Sequence, residues 1–233
     1  ACLIIHKGYQ PYLKYNLEIT SKYNNVFLIG DNSVRFLEDI NKNVTFFDIE
    51  QFQNNEKIEL FRNNFVNYST NSFEFEWFCF ERVLLIESFI KRFELENVFH
   101  LDSDNVMLTN INNFNFTSNC AYIIPVNQEK YGMAGSIHSG LIDTEFCSKF
   151  SQLFEDIYIN KSKFDLLTNP YGRRLTNQEV IELISDDVLV VIGSLSLEDL
   201  IAVKLELACN NINNRFYGFD IWRKSGYIIK EAL

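Results

Sequence analysis

The chain has 233 residues, 47% of them hydrophobic and 22% charged, ordinary proportions for a globular protein and enough length for one well-buried α/β domain. A net charge of −10 argues against a binder of nucleic acid or of anionic lipid, because such binding needs a basic surface. An acidic chain that handles a phosphorylated substrate needs local positive charge, such as a metal ion, beside its carboxylates.

CLIIH, residues 2–6, reads as a short buried strand, and Tyr12 to Tyr23 as a helix. NVFLIGD, residues 25–31, is a second buried strand ending in Gly30-Asp31. A short helix is predicted from Ser33 to Ile40, with Ser33 near its N-cap. VTFFDI, residues 44–49, is a third strand. Continuous apolar strands that alternate with helices predict a parallel sheet covered on both faces.

A long helix is predicted from Phe75 to Phe93. Trp77, Phe80, Leu84, Ile86, Phe89, Ile90 and Phe93 form its apolar stripe, with Glu76, Glu87, Lys91 and Arg92 mostly outside it. NVFHL, residues 97–101, is the next strand and delivers Asp102 and Asp104. Beyond it, 121–125 and 136–142 read as strands, Glu145 to Tyr158 as a helix, 188–192 as a strand, and Leu197 to Cys209 as a helix. The fold class expected is α/β, a mixed and mainly parallel sheet flanked by helices. One domain covers 1–233, and its nearest approach to a boundary falls just after Asp104.

Five cysteines, Cys2, Cys79, Cys120, Cys147 and Cys209, are odd in number and widely spaced, which argues against a disulfide framework or a zinc knuckle. No apolar run reaches the length of a membrane span. A cytoplasmic chain is expected, at a membrane periphery or away from it, with the secretory lumen as the alternative if a targeting segment lies outside the sequence. The N-glycosylation patterns at Asn43, Asn67, Asn115 and Asn160 carry little weight in a chain so rich in Asn.

Asp102-Ser103-Asp104 is the stretch with the most chemistry. In an open parallel sheet, ligands bind beyond the carboxyl ends of the strands, and these residues follow such an end. In extended chain, side chains one residue apart point the same way, so the two carboxylates are expected to converge on one hard divalent cation, Mg²⁺ or Mn²⁺. The bland alternative is a solvated loop with two surface aspartates. A calcium loop of the EF-hand kind is excluded, since Val106 and Met107 stand where a further oxygen ligand and a glycine are needed. Asp102 to Val106 also resembles the D-x-D-x-[TV] motif of haloacid-dehalogenase-like phosphohydrolases, in which Asp102 would be the nucleophile and Asp104 the acid/base. Gly30-Asp31 resembles that family's later metal-binding motif, but here it comes first, and Arg35 stands where another Asp is expected.

The stretch from Phe73 to Leu108, with the strands before it, resembles GT-A-fold glycosyltransferases, especially the bacterial sugar transferases of polysaccharide synthesis. Arg82 matches the family's helical Arg and Asp102-Ser103-Asp104 its DxD. His138-Ser139-Gly140 falls on a later strand that lines the donor and acceptor cleft. The resemblance runs from about residue 2 to residue 155 and rests on pattern rather than close identity.

It implies a hexosyltransferase-type enzyme with a nucleoside-diphosphate sugar as donor and a glycan or other hydroxyl as acceptor. Residues 1–105 would be the nucleotide-sugar half and 106–233 the acceptor half. Asp104 would ligate Mn²⁺ or Mg²⁺, and Asp102 the donor ribose or the metal through water. Asp31 lies where the base or ribose binds, or simply caps the next helix. Arg82 would reach the carboxylates or the diphosphate, and His138 the sugar or acceptor, with Ser139 and Gly140 beside it. The family's late metal-ligating histidine has no counterpart after His138, and Asp220 is the candidate to replace it. Asp186 and Asp187, before the strand 188–192, are the candidate catalytic bases for an inverting reaction. A GT-A-like domain that binds carbohydrate or protein without catalysis is the further alternative.

Overall fold

The computed structural model describes residues 1–53, 55–67, 71–114, 116, 120–123 and 136–162. Among the described residues a six-stranded sheet forms the centre, in the order β3-β2-β1-β4-β6-β5. Its strands are β1 (Cys2–His6), β2 (Val26–Gly30), β3 (Val44–Asp48), β4 (Asn97–Leu101), β5 (Ala121–Ile123) and β6 (Ser136–Asp143). β1 pairs in parallel with β2 on one side and β4 on the other, and β2 with β3. β6 runs antiparallel to both β4 and β5. The sheet is mixed and mainly parallel, as expected, and the two kinds of pairing meet at β4, the strand that leads to Asp102.

β1 is buried at every position, as a strand covered on both faces must be. Leu3 and Ile5 face one side, Cys2 and Ile4 the other. The second face is covered by helix α1 (Pro11–Thr20), which opens on Pro11 at a position where the missing N–H is no loss, and by a 3₁₀ helix over Asn32–Ile40. Gly30 ends β2 because nothing larger fits. A Cβ there would stand 2.4 Å from Val34 Cγ2 and 2.9 Å from His6 O, so the 3₁₀ helix can close over the strand end only above a glycine.

The first face carries helix α4 (Phe73–Arg92) and helix α5 (Thr144–Phe154), which runs into a π-helical turn over Glu155–Ile159. Ser72 caps α4, two glutamates fill its first turn, and Lys91 and Arg92 its last, all favourable to the helix dipole. Between the two helices lies an aromatic layer. Phe61 and Phe154 stack at 4.3 Å between centroids, and Phe65, Phe80, Phe150 and Tyr158 surround them. The abundance of Phe, from which the sequence allows no functional reading, fills this layer.

Several expectations need correction. Glu76 and Glu87 are not outside the buried face of α4; they are buried, as is Glu81. Each has a partner that offsets its desolvation: Glu87 holds Lys57 and Lys91, Glu81 holds Lys7 and Gln53, and Glu76 accepts from Asn71. Asp31 takes the second of its two expected roles and caps the 3₁₀ helix, accepting from the N–H of Ser33, which stands two residues past the cap. Two helices went unpredicted, α2 (Glu50–Gln53) and α3 (Glu56–Asn64). The expected strand 188–192 and helix 197–209 lie outside the described residues.

Candidate active site

β1, β2 and β4 all end at one edge of the sheet, and the crevice of interest opens between β1 and β4. There the chain order turns back on itself, the place where open α/β sheets bind ligands. Three loops and a strand segment meet at this edge: the loops after β1 (Lys7, Gly8), after β2 (Asp31) and after β4 (Asp102 to Asn105), and the β6 segment from His138 to Gly140.

The segment after β4 is a turn and not extended chain. The Asn105 N–H donates to Asp102 O at 2.9 Å, and the strand stops at Leu101. The alternation that would aim both carboxylates the same way therefore does not apply. Asp102 turns toward the α4 face and is only 23% exposed, while Asp104 stands exposed at the turn. Asp102 Oδ1 accepts from the Arg82 guanidinium and from His100 Nε2, the latter at 3.2 Å. His100 is fully buried on the same sheet face as Val98, the one that α4 covers. Burial pushes the Asp102 carboxyl up, but the charge of Arg82 and the His100 hydrogen bond outweigh it and hold it well below the usual carboxylate range. Burial lowers the basicity of Arg82, and the Asp102 charge, with a smaller part from Asp104, more than restores it. Burial also lowers the His100 pKa, against the opposing pull of the Asp102 carboxylate.

The main chain of the turn is held from two sides. On the β6 side, the Asp102 N–H donates to His138 O at 2.7 Å, and Asn105 Nδ2 donates to the same oxygen at 2.9 Å and to Ser139 Oγ at 3.3 Å. Gly140 is the register partner of His100. On the α1 side, the fully buried Asn16 donates from Nδ2 to Ser103 O and to Asn105 O, both at 2.7 Å. Thr20 Oγ1 donates to Asn16 Oδ1 at 2.8 Å and accepts from the Met107 N–H at 3.1 Å. Asn24 then holds Thr109 O and the Ile111 N–H.

Asp31 is fully engaged. Oδ1 accepts from the Ser33 N–H, and Oδ2 accepts from the Gly8 N–H at 2.8 Å. Gly8 has φ of 78°, the left-handed conformation that aims its N–H there. Burial pushes Asp31 up, and these hydrogen bonds from Ser33 and Gly8 outweigh it and lower its pKa. Exposed Tyr9 and Phe36 flank this corner with ring centroids 5.2 Å apart.

The structure thus brings Arg82, Asp102, Asp104, His138, Ser139 and Gly140 to one edge, with Asp31 beside them. Asp186, Asp187 and Asp220 lie outside the described residues. Sequence reasoning passed over His6, Asn16, Thr20, His100, Ser103 and Asn105. A signal existed for two of them: Leu13, Asn16, Leu17 and Thr20 recur at helical spacing, and polar side chains within a buried stripe must have partners.

Among the described residues no three His, Cys, Asp or Glu side chains gather as metal ligands. Asp102 and Asp104 supply carboxylate oxygens of the kind that Mg²⁺ or Mn²⁺ takes together with waters and phosphate oxygens. Of the two, Asp104 is the exposed one, whereas Asp102 is turned toward Arg82 and His100.

No protein-family model matches the chain, and no curated protein does. Among solved structures, the PaToxG glycosyltransferase superposes with a TM-score of 0.53 at 12% identity, over 88% of this chain and 74% of that one. Mouse xyloside xylosyltransferase 1 does so with 0.53 at 11%, over 80% of this chain and 81% of that one. At such identity the likeness is one of architecture, and with the mixed, mainly parallel sheet flanked by helices it shows that the fold of this chain is GT-A-like.

Proposed function

We propose that the chain is a metal-dependent glycosyltransferase, transferring a hexose-type sugar from a nucleoside-diphosphate donor to an acceptor hydroxyl in glycan or polysaccharide synthesis. The observation that carries this reading is the pairing of an exposed Asp104 with a deep, arginine-bound Asp102 at the crevice between β1 and β4. The GT-A-like fold supports it.

In this reading Asp104 would hold Mn²⁺ or Mg²⁺ directly, Asp102 would hold the donor ribose or the metal through water, and Asp220 is the candidate third ligand. When bound, the ion neutralises charge on the departing diphosphate. Arg82 keeps Asp102 ionised and adds fixed positive charge at the crevice floor, where charge develops as the sugar–phosphate bond breaks. Asp31 sets the Gly8 loop as the wall for the ribose and base, and the Tyr9 and Phe36 rings offer the base an apolar surface. His138, Ser139 and Gly140 line the acceptor side. Asp186 or Asp187 takes the acceptor proton if the reaction inverts. The phosphohydrolase alternative is not favoured, because Gly30-Asp31 precedes the Asp102 strand and Arg35 stands where that family has another Asp.

Thermal shift with UDP and GDP, each with and without Mn²⁺, tests the donor. The binding nucleotide should raise the midpoint by mass action, and sugar-nucleotide hydrolysis should follow the same preference. Asp104→Ala should abolish both while leaving the midpoint of the ligand-free protein unchanged. If no nucleoside diphosphate shifts the wild type, and Asp104→Ala alters no hydrolysis, the reading fails.

A further inference from the structure

Ser103 separates the two aspartates, and nothing in its type suggests chemistry. Yet His6, the last residue of β1, places Nδ1 2.9 Å from Ser103 Oγ, with the Tyr12 hydroxyl 3.4 Å from the same oxygen. His6 is 8% exposed, its ring meets Tyr12 edge-on, and its Nε2 has no hydrogen-bond partner among the described residues. The ring is also tied to the Gly8 backbone, and its Nδ1 contact joins the end of β1 to the turn after β4. Two residues on, Gly8 donates to Asp31. One short stretch of chain, His6 to Gly8, thus joins the Asp31 corner to the carboxylate turn.

We infer that His6 is a positioning residue: through Ser103 it fixes the turn that carries Asp102 and Asp104 relative to the Gly8–Asp31 corner, so that both ends of a nucleoside diphosphate meet preset contacts. The inference rests on the donor-site reading for its ligand, but its geometric half concerns the ligand-free chain. A turn without this tie samples more orientations, and binding must then order it at a cost in affinity.

The side-chain chemistry supplies a selective test. Asparagine puts its amide where Nδ1 stands in histidine, whereas glutamine reaches toward the position of Nε2. His6→Asn should therefore keep the tie, and His6→Gln and His6→Leu should lose it. Ser103→Ala removes the same bond from the other side, in a surface turn, and serves if a His6 variant does not fold.

Hydrogen exchange by mass spectrometry on the ligand-free chain reads the tie at the Asn105 amide, which closes the turn. Exchange there should rise about fivefold in His6→Leu, His6→Gln and Ser103→Ala, the effect of one net hydrogen bond, and stay near wild type in His6→Asn. Affinity for UDP or GDP with Mn²⁺ should fall by a similar factor, about fivefold, in the same order. Unchanged exchange in His6→Leu and Ser103→Ala overturns the inference. So does raised exchange with unchanged affinity, or His6→Asn behaving like His6→Leu. If the wild type itself binds neither nucleotide, the donor-site reading fails separately, and the exchange comparison still decides whether His6 holds the turn.

Discussion

At position 102 a carboxylate stays ionised in a largely buried place because a guanidinium touches it. Removing the guanidinium leaves that charge uncompensated, so Arg82→Ala should cost about 3 kcal/mol in urea unfolding. The double variant Arg82→Ala/Asp102→Ala should cost less than the sum of the singles, since each single leaves a stranded partner. Asn16 shows the same logic without charge. Asn16→Ala leaves two loop carbonyls and the Thr20 hydroxyl without their partner and should destabilise by about 2 kcal/mol in the same assay. Arg82 was readable in the sequence as the arginine of a helix leading into the Asp strand. The direction of Asp102 was not, because an argument from strand alternation holds only while the chain is extended, and Asn105 closes a turn onto Asp102.

Helix α4 holds three buried glutamates, and Glu87 gives the clearest test at the level of an element. Burial raises its pKa, and the hydrogen bonds and charges of Lys57 and Lys91 outweigh that and lower it below its ordinary value of 4.5. Its folded value is thus depressed relative to the unfolded one. The stability that it contributes is full above pH 4.5 and is lost as pH falls from there through the folded value. Glu87→Gln should therefore flatten the acid limb of a stability–pH profile, with the variant and wild type converging at the lowest pH. β1 and β2 could be read from sequence because each is a largely continuous apolar run, which only a doubly covered strand needs. α3 escaped notice because it buries little more than Ile58 and Phe61. Its start was nonetheless marked by Asn55, whose side chain accepts from the Lys57 and Ile58 N–H groups, and by Glu56 and Glu59 in the first turn.

Across the whole molecule, the aromatic layer between α4, α5 and α3 carries much of the apolar burial. Phe154, fully buried and stacked on Phe61, should cost about 3–5 kcal/mol when replaced by alanine, seen as a lowered unfolding midpoint. The cysteines report the same cooperative unit. Burial pushes the thiols of Cys2 to about 11 and Cys120 to about 12, and that of Cys147 well upward too. These three should resist iodoacetamide at neutral pH and become labelled only as the chain unfolds, which peptide mapping can follow. The clamp on the carboxylate turn has a consequence for biosynthesis. Met107 and Ile111 are each held by residues 87 positions earlier in the chain, Thr20 and Asn24. A nascent chain can assemble β1, β2 and β3 with their local crossovers while β4 is still inside the ribosome. It gains the crevice only after Ile111 has emerged and found a helix made long before. The edge that carries Asp102 and Asp104 is then among the last parts of the first half to form, and a ribosome stalled upstream of that point carries the three-stranded sheet without it.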